Sequence, residues 1–317
     1  MLLSLFIAFA FVAFNFSGVF AAEKLKFATA VKIYPLYYLP LFAAEERNLW
    51  KQEGLEVEWI PFSGAEVMFR SVAAKTLEIG MTPAITGIQS TVMGVPITMI
   101  SDLVPGVGGW AVWLPKNSPI KEPKDLKGAR IGVSGLGGSG HAFGLALVRG
   151  LGLERDVKFV GVGGVATTAA ALKAGAVAAV VTGPAGMLEL KAKGEAHELL
   201  FLAGYLPKEW MDHALVARKD FLKANLDLTK KIVKVVFQGA AFARENPSWS
   251  LEKMKSFSGY SDAVARLWLN EVARLTKDGR VKKRAIENIL DFLLNYGLIP
   301  KDGLPAAEDL FTPGLTD

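Results

Sequence analysis

From Lys24 onward the chain keeps switching period, and this alternation limits its fold more than any single residue does. Short apolar stretches such as "LKFATA", "LEVEWIPF", "LEIGM" and "PITMISDL" are separated by segments of helical spacing, "LPLFAAEERNLWKQEG", "GAEVMFRSVAAKT" and "PAITGIQSTVMG". Parallel strands need a crossover and a helix supplies it, so strands traded one for one with helices imply an α/β fold on a parallel sheet. The pattern pauses at "WAVWLPKNSPIKEPKDLKG", a Pro/Lys-rich stretch suited to a surface crossing. It resumes with the strands "ARIGVS", "VKFVGV" and "AVAAVVT" and the helices "ATTAAALKAG" and "AGMLELKAKG". "HALVARKDFLKAN" then echoes the first crossing, and the region from about Leu226 to Leu294 reads as helical with charged faces.

The two series resemble one another. "PFSGAEVMFRSVAAKTLEIGMTPA" and "VGVGGVATTAAALKAGAVAAVVTGPA" share one order: strand, glycine, Ala-rich helix, short strand, then Thr and Pro. A length of 317 residues suits about two domains, so each unit is expected in its own lobe. With 51% hydrophobic and 21% charged residues the chain can build a packed core. The net charge of +5 comes without a clustered Lys/Arg stripe, and "KDGRVKKRAIENIL" has the spacing of a solvated helix face, so no nucleic-acid partner is expected.

Residues 1–21 read as a cleaved signal peptide. Met1 to Ala22 carry no charged side chain, Leu2 to Phe14 is almost wholly apolar, and "VFA" precedes Ala22. The apolar run is shorter than the ~20 residues of a spanning helix. A basic n-region is missing, which leaves a retained anchor as the alternative. The chain has no cysteine, so disulfides, thiolate metal sites, cysteine nucleophiles and a lipid-modified cysteine are excluded. An exported protein without a thiolate metal site is the expectation.

The most suggestive local feature is "IGVSGLGGSGHAFGLALVRGLG", Ile131 to Gly152, in which Gly135, Gly137 and Gly140 fit G-x-G-x-x-G. A dinucleotide site needs an acid at the end of the next strand to hold the ribose, and "VKFVGV" is followed by Gly163 and Gly164 instead. A Walker loop fails too, with His141 and Ala142 where Lys and Ser/Thr belong. What remains is a helix start with free N–H groups, which favours an anion, and glycines that permit close approach. Catalytic templates are absent: His141, His197 and His213 form no H-E-x-x-H, and no G-x-S-x-G occurs. His197 reads as exposed and His213 as structural. The aromatic cluster "IYPLYYLP" follows the first strand, where an α/β sheet places its ligand crevice, so at least one ring is expected there.

Together these stretches resemble the substrate-binding proteins of ABC importers for nitrate, sulfonates, taurine and thiamine-precursor pyrimidines. The resemblance runs from about Lys24 to Pro247. It rests on the order of "YPLYYLPLFAAEERNLWKQEGLEVEWIPF", "SVAAKTLEIGMTPA", "PIKEPKDLKGARIGVSGLGGSGH", "ALKAGAVAAVVTGPA" and "LVARKDFLKAN" with "ENP". Ala178 stands where the family commonly has Asp, and "TGPAG" lacks the usual aromatic or acidic residue.

The resemblance implies an α/β, two-lobed type II periplasmic-binding-protein fold with a hinge of two crossing segments, at "WAVWLPK" and "HALVARK". Residues 22–110 with 213–317 would form one lobe and 111–212 the other. It implies a monomeric, non-enzymatic protein that delivers a small-molecule ligand to an ABC permease and its ATPase. Carried over by position, the ligand contacts are Tyr34, Tyr37, Ser63, Gly64, Thr82 and Pro83 from the first lobe, and Ser139, Gly140, His141, Thr182 and Gly183 from the second. Helix starts, hydroxyls and aromatic faces with few charges suit a small organic anion: a sulfonate, a taurine-like molecule or a carboxylate, aromatic bodies included. The alternatives are a pyrimidine-precursor binding protein, a pyrimidine-synthase-like enzyme, though the cysteine-rich signature of those synthases is absent, or a sensor domain without a transporter.

Overall fold

The apolar strands pair into two separate sheets, as the pause in the pattern implies. The computed structural model describes residues 23–30, 34–62 and 64–315; the expected signal peptide and Ser63 lie outside them. In the first sheet β1 (Glu23–Thr29) lies between and parallel to β2 (Leu55–Pro61) and β3 (Ile79–Pro83). Phe27 is in register with Trp59 on one side and Ile79 on the other. Beyond β3 comes β10 (Met211–Arg218), antiparallel, and then β4 (Ile97–Pro105) at the edge.

The second sheet repeats this plan. Here β6 (Arg130–Val133) lies between and parallel to β7 (Lys158–Gly161) and β8 (Ala179–Thr182). Antiparallel β5 (Ala111–Pro115) follows, with β9 (Ala196–Phe201) at the edge. The strand orders β2-β1-β3-β10-β4 and β7-β6-β8-β5-β9 therefore correspond position by position. The chain passes between sheets twice, from β4 to β5 and from β9 to β10, and the Gly106 N–H donates to the Trp210 carbonyl at 2.8 Å, tying the two crossings together. The result is an α/β molecule of two lobes.

Helices fill the crossovers: α1 (Pro35–Glu46) and α2 (Leu49–Gln52) after β1, α3 (Ala65–Ala73) after β2 and α4 (Ala84–Val92) after β3. In the second lobe α5 (Ser139–Gly150) follows β6, α6 (Val165–Lys173) follows β7 and α7 (Met187–Ala192) follows β8. The stretch expected as one helix up to Gly54 is broken, because Asn48 is left-handed at φ 55° and separates α1 from α2. Asn tolerates that conformation better than other non-glycine residues. Strand β9 was not expected. Its polar start hides it, and Glu198 is satisfied by the Lys191 ammonium at 2.7 Å. His197, expected exposed, is half-buried there, paired with Leu114 of β5.

After β10 the chain is helical: α8 (Lys219–Ala224), α9 (Leu226–Glu245), α10 (Pro247–Ser258), α11 (Asp262–Val272) and α12 (Lys283–Asn295). Gly239 lets α9 lie against α1, since a Cβ there would overlap the Pro40 carbonyl. The last helix also reaches the second lobe: Phe292 lies 5.9 Å from Phe143, and Arg149 stacks 4.5 Å over Tyr296. Trp50, Trp113 and Trp268 are fully buried and anchor the apolar interior.

Candidate functional site

In an open α/β sheet the ligand crevice lies beyond the carboxyl ends of the parallel strands. The two sheets here share one such crevice, a cavity of about 460 Å³. Four helices begin at it. The N-cap residues Gly64, Pro83, Gly138 and Gly164 of α3, α4, α5 and α6 all line it, and none of the four helices has a side-chain cap. Their first N–H groups have no partner within the helix, and each helix dipole places partial positive charge at that end. No Lys, Arg, Asp or Glu is among the described lining residues.

Hydroxyls and rings complete the wall. Thr86, Ser134, Ser139, Thr168 and Thr182 line the cavity. The hydroxyls of Thr86 and Ser139 meet across it at 3.1 Å, joining α4 of one lobe to α5 of the other. Tyr34 packs edge-on against Tyr37 at 4.9 Å and Trp268 at 5.3 Å, and lies 4.9 Å from the ring of His213. Burial, then the negative charge of Asp212, pushes the Tyr34 and Tyr37 phenols well above their usual range, so both remain protonated donors.

Trp110 belongs to the first crossing and lines the cavity against the second lobe. Its ring is 4.9 Å from Phe143, while its indole N–H donates to Asp212 Oδ1 at 2.9 Å in the first lobe. Asp212 Oδ2 lies 3.3 Å from His213 Nδ1, close but poorly aligned, so that the buried nitrogen has no hydrogen-bond partner. Gly108, left-handed at φ 76°, makes room here: a Cβ would overlap the Asp212 carboxylate and come within 3.0 Å of Arg274 Nη1.

Of the residues carried over by position, Tyr34, Gly64, Pro83, Ser139, Thr182 and Gly183 line the cavity. Tyr37, Thr82, Gly140 and His141 are not among the lining residues. Tyr37 and Thr82 are buried behind it. A Cβ at Gly140 would sit 2.6 Å from the Val181 carbonyl oxygen, so this glycine seats α5 on β8 rather than admitting a ligand. The His141 Nδ1 accepts the Gly137 N–H at 3.0 Å.

Sequence reasoning missed Trp110, Thr86, Thr168 and His213 as lining residues. Thr86 and Thr168 stand one turn inside their helices, a spacing that could have marked them. His213 carries no local signal, because β10, in which it is the third residue, was read as part of a crossing. A larger hollow of about 770 Å³ lies at the opposite, amino ends of β1, β2 and β3. Its ion pairs include the exposed Lys24–Glu56 at 3.9 Å and, at its rim, the more buried Arg218–Glu78 at 3.8 Å. An exposed pair such as Lys24–Glu56 is solvated and gives little selectivity.

Known proteins fit this architecture. The chain is 23% identical to a Brucella abortus protein named as a binding protein, over 82% of this chain and 83% of that one. It is 27% identical to the 4-amino-5-hydroxymethyl-2-methylpyrimidine phosphate synthase of Schizosaccharomyces pombe, but the match spans only 36% of this chain and 33% of the enzyme. The fold is that of the periplasmic aliphatic sulphonate-binding protein SsuA of Escherichia coli, with a TM-score of 0.78 at 18% identity over 92% of this chain and 93% of that chain. Among the described residues no helix is long and apolar enough to cross a membrane. The model of the NMT1/THI5-like family matches residues 36–250, most of the chain, and the protein belongs to that family.

Proposed function

We propose that this protein is a periplasmic solute-binding protein that encloses a small organic anion between its lobes and hands it to an ABC permease and its ATPase. The observation that carries the reading is the convergence of four uncapped helix starts, from both lobes, on one cavity with no Lys, Arg, Asp or Glu among its described lining residues. An anion there is held by neutral donors, each helix end contributing roughly 0.3–1 kcal/mol and more when dry. Tyr34, Trp110, Leu136 and Val165 offer apolar surface for an organic body. The cavity volume lies in the range of small-molecule sites and leaves much of its wall idle around a nitrate. The Brucella relative's name and the sulphonate ligand of the E. coli protein agree with this reading.

In this proposal residues 1–21 direct export and are cleaved. The lobes divide as 22–110 with 213–317, and 111–212, although β10 belongs to the first sheet already from Met211. The protein acts as a monomer without a cofactor.

A thermal-shift screen with alkanesulfonates, arylsulfonates, carboxylates and pyrimidines tests the chemistry. Small-angle scattering tests closure, since a ligand that prefers the shut form should shrink the radius of gyration. Stabilisation by at least one sulfonate or carboxylate is expected. Stabilisation by pyrimidines alone would replace the anion reading with the pyrimidine-precursor one. That second reading, enzymatic turnover included, draws support from the synthase match and from the Asp212–His213 pair at the cavity. Mass spectrometry of the incubated pyrimidine would show a product if it held.

A further inference from the structure

The loop between β6 and α5 supplies Ser134, Gly135, Leu136 and Gly138 to the cavity wall. Gly137 is left-handed at φ 88°, and Leu136 at the tip is 64% exposed. Backbone bonds hold its start and close its turn: the Gly163 N–H donates to the Ser134 carbonyl at 3.1 Å, and the Gly138 N–H to the Gly135 carbonyl at 3.3 Å. A side chain adds a further tether inside the turn. The Gly137 N–H donates to His141 Nδ1 at 3.0 Å, and the imidazole is held edge-on by Phe159 of β7 at 5.1 Å.

We infer that His141 is a positioning residue, whose neutral imidazole, with its proton on Nε2, locks the glycine loop in the shape that lines the ligand cavity. This deepens the binding reading above and rests on it. A nitrogen that accepts a hydrogen bond cannot carry a proton, so protonation of the ring breaks this tether and releases the Gly137 N–H. Burial pushes the imidazole below its ordinary value. Among the described residues of the ring's own helix α5, of β7, which contributes Phe159, and of the loop, which contributes backbone, no carboxylate or ammonium shifts it. The neutral form therefore prevails at neutral pH, and the tether is lost as pH falls through the depressed value.

A second histidine, His213, lines the cavity itself, and it is shared by every variant compared. The test separates the two. Benzenesulfonate, which stays ionised throughout, is titrated by calorimetry into wild type, His141→Asn and His141→Leu at about pH 7.5 and about pH 5. Asn places an acceptor oxygen where Nδ1 stood, and that oxygen does not titrate. The expected result is that wild type loses about threefold to tenfold in affinity on acidification relative to His141→Asn, while His141→Leu is weak at both values. Equal pH slopes in wild type and His141→Asn, or His141→Leu binding as tightly as wild type at neutral pH, would overturn the inference.

A readout without ligand keeps it distinct from the binding reading. Nitrogen NMR should show the Nε2–H tautomer of His141, and amide exchange at Gly137 should quicken in acid in wild type but not in His141→Asn. If benzenesulfonate fails to bind while these signals hold, the anion reading fails and the tether stands. If Gly137 exchanges freely at neutral pH, the tether itself is wrong.

Discussion

The loop after β1 and the loop after β6 hold equivalent places in sheets of the same strand order, yet they bring different chemistry to the cavity. The first runs into α1 through Tyr34, Pro35 and Tyr37. The second runs into α5 through Ser134 to Gly138. Elsewhere the lobes match closely: α3 and α6 each have nine residues, each begins after a glycine, and each leads to the central region of its sheet. The duplicated frame aims helix starts at the crevice from both sides. The loop content then decides what each side presents, rings in one lobe and bare backbone in the other. Aromatic side chains exclude water and cover an organic body, whereas glycines let a ligand reach N–H groups directly.

The largest expected effect lies where these two loops are seated. Each leads into a helix held down by a glycine, α1 beneath Gly239 of α9 and α5 by Gly140 against β8. Gly239→Val should drive α1 off α9 and cost about 3 kcal/mol or more, whereas Gly140→Ala should cost about 1–3 kcal/mol. Urea denaturation of both variants gives the comparison. An unchanged midpoint in Gly239→Val would mean that the aromatic side of the cavity does not depend on this seat.

A second contrast is charge. The first lobe buries Asp102 in β4 and Asp212 in β10, on neighbouring strands, and Asp102 Oδ1 has no hydrogen-bond partner. Burial, then the nearby Asp212, raises the Asp102 carboxyl well above its usual value. A raised acid favours the folded state only while it is protonated, so its contribution is complete below the ordinary aspartate value and is lost as pH rises through the folded value. Asp102→Asn should therefore gain stability over wild type at pH about 7 and lose that advantage near pH about 4. Denaturation midpoints at the two values decide it. A gain independent of pH would show that the carboxyl is not held protonated by the fold.

The lobes were legible in sequence because their strands are short, apolar and punctuated by glycines, and the duplicated unit announced itself through residues 61–84 and 160–185. Helix starts at Gly64 and Gly138 were legible for the same reason. The gaps have physical causes. Strand β9 hides behind a charged start that a neighbouring lysine neutralises. Trp110 and His213 are separated by 103 positions in the chain, and only the meeting of two crossings brings both to one cavity. Gly140 matched the G-x-G-x-x-G pattern but lies against the Val181 carbonyl, since a helix packed on a strand needs the same missing side chain as a helix facing a ligand.

The smallest expected effect bears most directly on how the two sides cooperate. Ser139 opens α5 in the second lobe, Thr86 stands one turn into α4 in the first, and their hydroxyls share a buried hydrogen bond at 3.1 Å. Each hydroxyl can still turn a lone pair or proton toward a ligand. Ser139→Ala should lower anion affinity by roughly 0.5–1.5 kcal/mol, a few-fold to about tenfold, through loss of one net hydrogen bond. Thr86→Val should cost a similar amount. If the bond acts as a unit across the cleft, the double variant will lose little more than either single one, with a coupling of about 0.5 kcal/mol or more. Additive losses would mean that each hydroxyl serves the ligand alone and that the lobes meet there without helping one another. Tighter binding in Ser139→Ala would be more telling, because it would show that the cross-cleft bond competes with the ligand for the first donors of α5.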